Sequence, residues 1–295
     1  MKILVTGAQG QLGSEILMQG KDYPFHIRGF GSSRLDITQP SQVKESIDSV
    51  KPDLVVNAAG YTRVDQAEDE PERAFAVNST GPANLAGCCH LARIPLIQIS
   101  TDYVFDGTKT TPYLEDDVVS PLSVYGQSQA RGEDRVRSAL REHIIIRTSW
   151  LYGFYGKNFV KTMLQIGRER EVVSVVADQF GSPTSAADLA ECILRIARRI
   201  SEGAPVAWGT YHYCGEGVTT WHMFAETLFN LAIQYRPLKI RRIIPISTAD
   251  YPAKARRPPY SALDSTRIQN NFGITPKPWP ESLKTLLDRM MRESS

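Results

Sequence analysis

The chain has 295 residues, 42% of them hydrophobic and 22% charged, with a formal net charge of +2. That size supports a substantial core, in one large α/β domain or two closely joined ones. Lys and Arg are spread along the chain rather than gathered in a basic block, which argues against a dedicated nucleic-acid or membrane-surface binder.

No apolar run approaches about 18 residues and no leader pattern precedes the first strand, so a cytoplasmic protein without membrane partners is expected. Cys88, Cys89, Cys192 and Cys214 lack paired CxxC spacing and read as reduced thiols.

In chain order, KILVT (2–6) predicts a strand, LGSEILMQG (12–20) a helix and FHIRGF (25–30) a second strand. DLVVNAA (53–59), IPLIQIS (94–100) and HIIIRTS (143–149) predict further strands, with long helical stretches between them, such as 71–93. Nearly continuous apolar strands alternating with helices imply a parallel sheet covered on both faces, the doubly wound α/β class of Rossmann type. After residue 150 Gly, Pro and aromatic residues become denser and the alternation is lost, although helices recur near 186–201 and 221–234. Residues 1–150 therefore read as a dinucleotide-binding domain. Residues 151–295 read as a mainly substrate-binding region across a soft boundary, with strands that can return to the main sheet.

VTGAQGQLGSE places Gly7, Gly10 and Gly13 at the turn between the first strand and first helix, with Gln9, Gln11 and Leu12 between them. Glycine permits a tight turn and close backbone approach to a pyrophosphate seated on a helix N-terminus. The GxxGxxG spacing departs from the commoner GxGxxG, and three glycines alone would be a weak signal; their place within a βαβ unit decides for a dinucleotide. An NAD site ordinarily has an acidic residue at the end of the second strand. Here Gly31, Ser32, Ser33 and Arg34 stand there. Hydroxyls and an arginine suit a 2′-phosphate, hence NADPH, with Asp36 and Ile37 against the adenine.

Ser100 and Thr101 end an apolar strand, where open α/β sheets bind ligands. Tyr125 follows in YGQSQ. A hydroxyl donor and a tyrosine flanking one carbonyl can polarise it and protonate its oxygen as hydride arrives. Taken singly, such residues are more often structural.

Together VTGAQGQLGSE, VVNAAGYTRVDQAE, STDYVFDG, SPLSVYGQSQARGE, RTSWLYG, DQFGSPT and RRPPYSALD resemble the extended short-chain dehydrogenase/reductases, and within them the dTDP-4-dehydrorhamnose reductase family. The likeness runs from about residue 2 to 290 in the same order and spacing. It implies NADPH-dependent (or NADH-dependent) reduction of the 4-keto group of dTDP-6-deoxy-L-lyxo-4-hexulose to dTDP-L-rhamnose. Thr101 and Tyr125 match the family's catalytic Thr and Tyr. Asn57, Ala58, Ala59 and Tyr61 match the loop beside the cofactor. Asp102, Tyr103, Trp150, Asn158 and Arg257 fall on the sugar-nucleotide side, the last as a planar donor for the diphosphate. Gln179, Gly181, Pro183 and Thr184 match a loop that shapes the pocket. A homodimer is what the superfamily commonly forms.

One position departs. The family pattern is YxxxK, and residue 129 is Gln, one helical turn from Tyr125 on the same face. Gln129 can still donate to a ribose hydroxyl but carries no charge. A cation at ~4 Å is worth about 4 kcal/mol at an effective dielectric of ~20, or roughly 3 pKa units. Its loss costs up to about 10³ in rate, and less for a reduction, where the tyrosine must only be protonated. Three readings stay open: a natural reductase with a retuned site, a substituted YxxxK enzyme, or a non-catalytic NADP-binding module like the methionine adenosyltransferase β subunit. The reductase of another deoxysugar nucleotide is a further alternative. The pocket residues favour the reductase.

Glu15 is expected to face solvent, and no metal site is read from it. His26, His90, His143, His212 and His222 show no ligand spacing. DSTRIQNNFGI (264–274) is expected to be structural, and Arg131 to be a solvated helix residue.

Overall fold

A computed structural model describes residues 1–292. The first half runs β1 (Lys2–Thr6), α1 (Gln11–Gln19), β2 (His26–Phe30), α2 (Pro40–Val50), β3 (Leu54–Asn57), α3 (Val64–Ala67), α4 (Pro71–Phe75), α5 (Gly81–Ala92), β4 (Leu96–Thr101), α6 (Val124–Ala139) and β5 (His143–Thr148). The second half runs β6 (Leu151–Tyr152), α7 (Phe159–Glu169), β7 (Val172–Val176), β8 (Phe180–Gly181), β9 (Thr184–Ser185), α8 (Ala186–Ser201), β10 (Gly209–His212), β11 (Thr219–Thr220), α9 (Trp221–Ala232), β12 (Arg242–Ile246), α10 (Thr266–Phe272) and α11 (Trp279–Arg292).

The main sheet has the order β2-β1-β3-β4-β5-β10 and every pairing in it is parallel. Its strands are rich in Ile and Val and buried on both faces, as parallel strands between helices must be. Alternate residues serve opposite layers. Ile3, Val5, Val56 and Ile144 pack under α1 and α8, whereas Leu4, Val55 and Ile145 pack under α2, α5 and α6. The chain passes from β1 outward to β2, then returns to place β3 on the other side of β1, so the C-terminal ends of β1 and β3 flank the switch point where such sheets bind ligands. β10 pairs with β5 and closes the far edge of the sheet. Short pairs β6–β9, β7–β12 and β8–β11 and an aromatic-rich cluster of α7, α9 and α11 build the remainder.

Two expectations need correction. The 71–93 stretch is not one continuous helix: α4 and α5 are joined by a π-turn over 76–80. Pro82 has no N–H to give the Asn78 carbonyl, and the Gly81 N–H bonds Ala76 O, five residues back. Glu15 is not solvated: it is 1% exposed, and Arg289 of α11 grips its carboxylate at 2.8 and 3.0 Å. α10 and Ile274 belong to the main core, and Arg131 is exposed. Among the described residues no helix is long and apolar enough to cross a membrane.

Candidate active site

The site opens along the C-terminal ends of β1, β3 and β4. After β1 the backbone turns back at Gly7, whose φ of +63° is left-handed. A Cβ there would stand 2.5 Å from the Ala58 carbonyl carbon and the Ala59 nitrogen, so the two loops meet backbone to backbone. Gly10 N–H donates to Gly7 O at 2.9 Å and α1 begins. The result is an uncapped helix N-terminus above a concave turn, the geometry that accepts a pyrophosphate.

A cavity of about 360 Å³ lies over this turn, lined by Gly7, Gln9, Gly10, Gly31, Ser32, Asp36, Ile37, Ala58, Ala59 and Tyr61 among others. Asp36 is turned inward on its own loop, accepting from Thr38 N and Oγ1. Ser33 and Arg34 do not line the cavity; the Arg34 guanidinium stacks over Phe30 at 4.3 Å. Gly13 and Asn57 also act from behind it. A Cβ at Gly13 would meet Gly7 O at 2.3 Å, and Asn57 accepts from Thr6 Oγ1 and donates to Gln98, tying three strand ends. Arg63 and Arg73, not singled out from sequence, line the cavity instead. The signal for Arg63 was present in the quoted VVNAAGYTRVDQAE, where an exposed basic residue follows the cofactor loop; Arg73 lies beyond it, in α4.

A second cavity of about 570 Å³ shares Gly10, Ala58, Ala59, Gly60 and Thr62 with the first, making one continuous crevice. It gathers Gln11, Leu12, Ser100, Thr101, Asp102, Tyr103, Tyr125, Gln129, Trp150 and Asn158. Asn158 caps α7 and also donates to Gln11 at 3.0 Å, linking the two halves of the chain. Tyr125 and Gln129 project from one face of α6, whose N-cap Ser123 accepts from Gly126 N. Burial pushes the Tyr125 phenol up to about 12, while the approaching Thr101 and Gln129 side chains pull it down. The phenol is therefore protonated at neutral pH. Tyr103 meets Tyr125 edge-on with centroids 5.7 Å apart.

Glu133, one further turn along α6, anchors that face. It is buried against Arg147 of β5, at 2.9 Å from Nε and 2.7 Å from Nη2, and accepts from Ser100 Oγ. Burial pushes its carboxyl up, but Arg147, then Arg137 and Ser100, hold it below its ordinary range. A Cβ at Gly132 would stand 2.0 Å from Asn78 O, so α6 lies directly on the π-turn. From that turn the Asn78 side chain bonds Tyr61 N, Tyr61 O and Ser128.

On the opposite wall Trp150, with φ +47°, stacks on Trp221 at 3.7 Å between centroids. A Cβ at Gly181 would fall 2.5 Å from the Trp150 ring. Ser149 and Thr184 bind the loop backbone around buried Pro183. Gln179 points away to Thr248. Arg257 does not line the crevice: it is paired with Asp65 at 2.7 Å. Trp221, Phe159 and Lys157 do line it and were not singled out; only the fold brings them opposite β4.

Comparison with known proteins places the chain among close relatives. The family model described as the RmlD substrate binding domain matches residues 1–292. The dTDP-4-dehydrorhamnose reductase of Aggregatibacter actinomycetemcomitans is 43% identical, covering 97% of this chain and 98% of that protein. A solved dTDP-4-dehydrorhamnose reductase from Clostridium acetobutylicum superposes with a TM-score of 0.92 at 38% identity, over 98% of this chain and 99% of that one. The Bacillus anthracis enzyme of the same name, solved in complex with NADP, gives a TM-score of 0.91 at 38% identity with the same coverage.

Proposed function

The chain belongs to the dTDP-4-dehydrorhamnose reductase family, and from that premise we propose that it reduces the 4-keto group of dTDP-6-deoxy-L-lyxo-4-hexulose to dTDP-L-rhamnose with NADPH. The observation that carries this reading is the single crevice in which a glycine-built dinucleotide cradle runs into a pocket holding Thr101, Tyr125 and Gln129.

The cradle fits the cofactor. The backbone of Gly7, Gly10 and Ala58 approaches closely where a pyrophosphate needs N–H groups, and no acidic side chain from the end of β2 at 31–34 opposes a 2′-phosphate. When bound, NADPH supplies the hydride. Tyr125 gives its phenolic proton to the substrate oxygen, and Thr101 holds that oxygen from the other side. Gln129 takes the ribose-facing position of the family's lysine as an uncharged donor, leaving Tyr125 a weaker acid but a protonated one. Trp150 and Trp221 offer flat surfaces to the nucleotide sugar. We further propose that residues up to about 150 serve mainly the cofactor and those beyond mainly the sugar. The enzyme would work as a cytoplasmic homodimer; its four free cysteines suit a reducing compartment.

The test is NADPH oxidation with and without the dTDP-4-keto sugar, with the product identified. Oxidation that requires the sugar and yields dTDP-L-rhamnose is expected. Tight NADPH binding without sugar-dependent oxidation would favour a regulatory binding module, and turnover of a different keto sugar nucleotide alone would reassign the substrate.

A further inference from the structure

Asp102 follows Thr101 at the end of β4, lines the same cavity as Tyr125, and is 2% exposed. The Thr101 hydroxyl donates to Asp102 Oδ1 at 3.0 Å when Asp102 is a carboxylate and turns to accept when Oδ1 carries the proton; the same threonine side chain approaches the Tyr125 phenol. The second carboxyl oxygen, Oδ2, is buried with no hydrogen-bond partner; Ser261 comes near without closing a well-formed bond. A carboxylate so placed would be poorly solvated, whereas a neutral acid fits.

The groups around it add no compensating cation. Tyr103 on its own segment, Tyr125 on α6 and Cys214 beyond β10 face it with neutral side chains. The nearby Arg257 is engaged by Asp65, and position 129 is an uncharged Gln.

We propose that Asp102 is the proton store of the reduction, recharging Tyr125 through the Thr101 hydroxyl. This deepens the reductase reading and rests on it. As the substrate carbonyl carbon accepts hydride, its oxygen takes the Tyr125 proton. The phenolate oxygen then takes the Thr101 proton, and Thr101 Oγ1 takes one from Asp102 Oδ1 across the 3.0 Å contact. Asp102 is left as carboxylate and recovers its proton from water in the open crevice, so each turnover consumes one solvent proton. Burial pushes this carboxyl up to about 7, with Ser261 and Thr101 acting in the opposite direction. Below that pH the store is full. Above it, the empty store also leaves a negative charge that pushes the phenol higher and weakens it as an acid.

The experiment compares the full protein with Asp102→Asn, which keeps the shape and the contact with Thr101 but carries no transferable carboxyl proton. Thr101→Val serves as a second variant that cuts the link and leaves Asp102 in place. The wild-type kcat should fall as pH rises through about 7 with saturating NADPH and keto sugar. Asp102→Asn should lower kcat by about 10- to 100-fold, leave KM within about twofold and flatten that limb of the profile. Thr101→Val should do the same to the profile. A second readout needs no turnover: the protein alone should show a protonated-carboxyl infrared band that fades across the same pH range and is missing in Asp102→Asn. Wild-type kcat and an unchanged pH profile in Asp102→Asn would overturn the proton store and leave the reductase intact. Absence of keto-sugar turnover in the wild type would overturn both, whatever the infrared band shows.

Discussion

The two ends of the crevice are built by different means. The cofactor end is backbone: a left-handed Gly7 against Ala58 and Ala59, and the uncapped start of α1. The catalytic end is side chains held by side chains, with Glu133, Arg147, Ser100 and Arg137 fixing the face of α6 that carries Tyr125 and Gln129. A backbone cradle tolerates change in most neighbours and fails at the few positions where a Cβ cannot fit. A buried ionic network fails whenever one member is lost, because the remaining charge has no solvent. The cofactor end should therefore be sensitive at its glycines, and the catalytic end sensitive across a web that reaches Glu133, Arg137 and Arg147, which do not line the crevice.

The largest effect belongs to the proposed proton donor. Tyr125→Phe should lower kcat by about 10²- to 10⁴-fold while NADPH binding persists, read by turnover and by cofactor fluorescence titration. Next is the network. Arg147→Ala leaves the buried Glu133 carboxylate with only the partly exposed Arg137 and the Ser100 hydroxyl and should cost about 3 kcal/mol of stability, measured by chemical denaturation. Because the Glu133 carboxyl is held below its usual range, the wild-type contribution is present above that range and is lost as pH falls through it.

Asp102 has the opposite sign. Its carboxyl moves from 3.8 to about 7, so the folded state binds a proton that the unfolded state releases. Stability is lost as pH rises from about 4 to 7, to a ceiling on the order of 4 kcal/mol. Asp102→Asn should raise Tm at about pH 8 more than at about pH 4, which would sharpen the contrast between the two buried carboxyls. Equal effects at both pH values would erase it.

Smaller still is Gln129→Lys, which restores a cation beside Tyr125. It should raise kcat by about 10- to 100-fold, and a neutral result would mean that Gln129 already sets the phenol adequately. Trp221→Ala removes the ring stacked on Trp150 and should cost about 1 kcal/mol, or roughly a fivefold rise in KM for the sugar nucleotide, with kcat little changed.

The contrast also explains what sequence could reveal. Glycine spacing, apolar strands and the one-turn separation of Tyr125 and Gln129 are local, so the parallel sheet, the cradle and the altered YxxxK position were all legible. Contacts between distant residues were not. Glu15 reads as solvated because its partner Arg289 lies 274 residues away, and Arg257 reads as a free diphosphate ligand because Asp65 lies 192 residues away. Trp221 opens a helix like any core aromatic until β11 carries it to Trp150. Pro82 carried a legible signal for the break near 76–80, but the helical pattern on either side masked it.

The central claim is that this chain reduces its sugar with Tyr125 as proton donor although residue 129 carries no charge. Single-turnover NADPH oxidation with the dTDP-4-keto sugar, for the wild-type chain and Tyr125→Phe side by side, tests it directly. A sugar-dependent transient in the wild type that disappears in Tyr125→Phe, with both proteins holding NADPH, is the predicted result. Equal transients in the two proteins, or none in either despite bound NADPH, would contradict it.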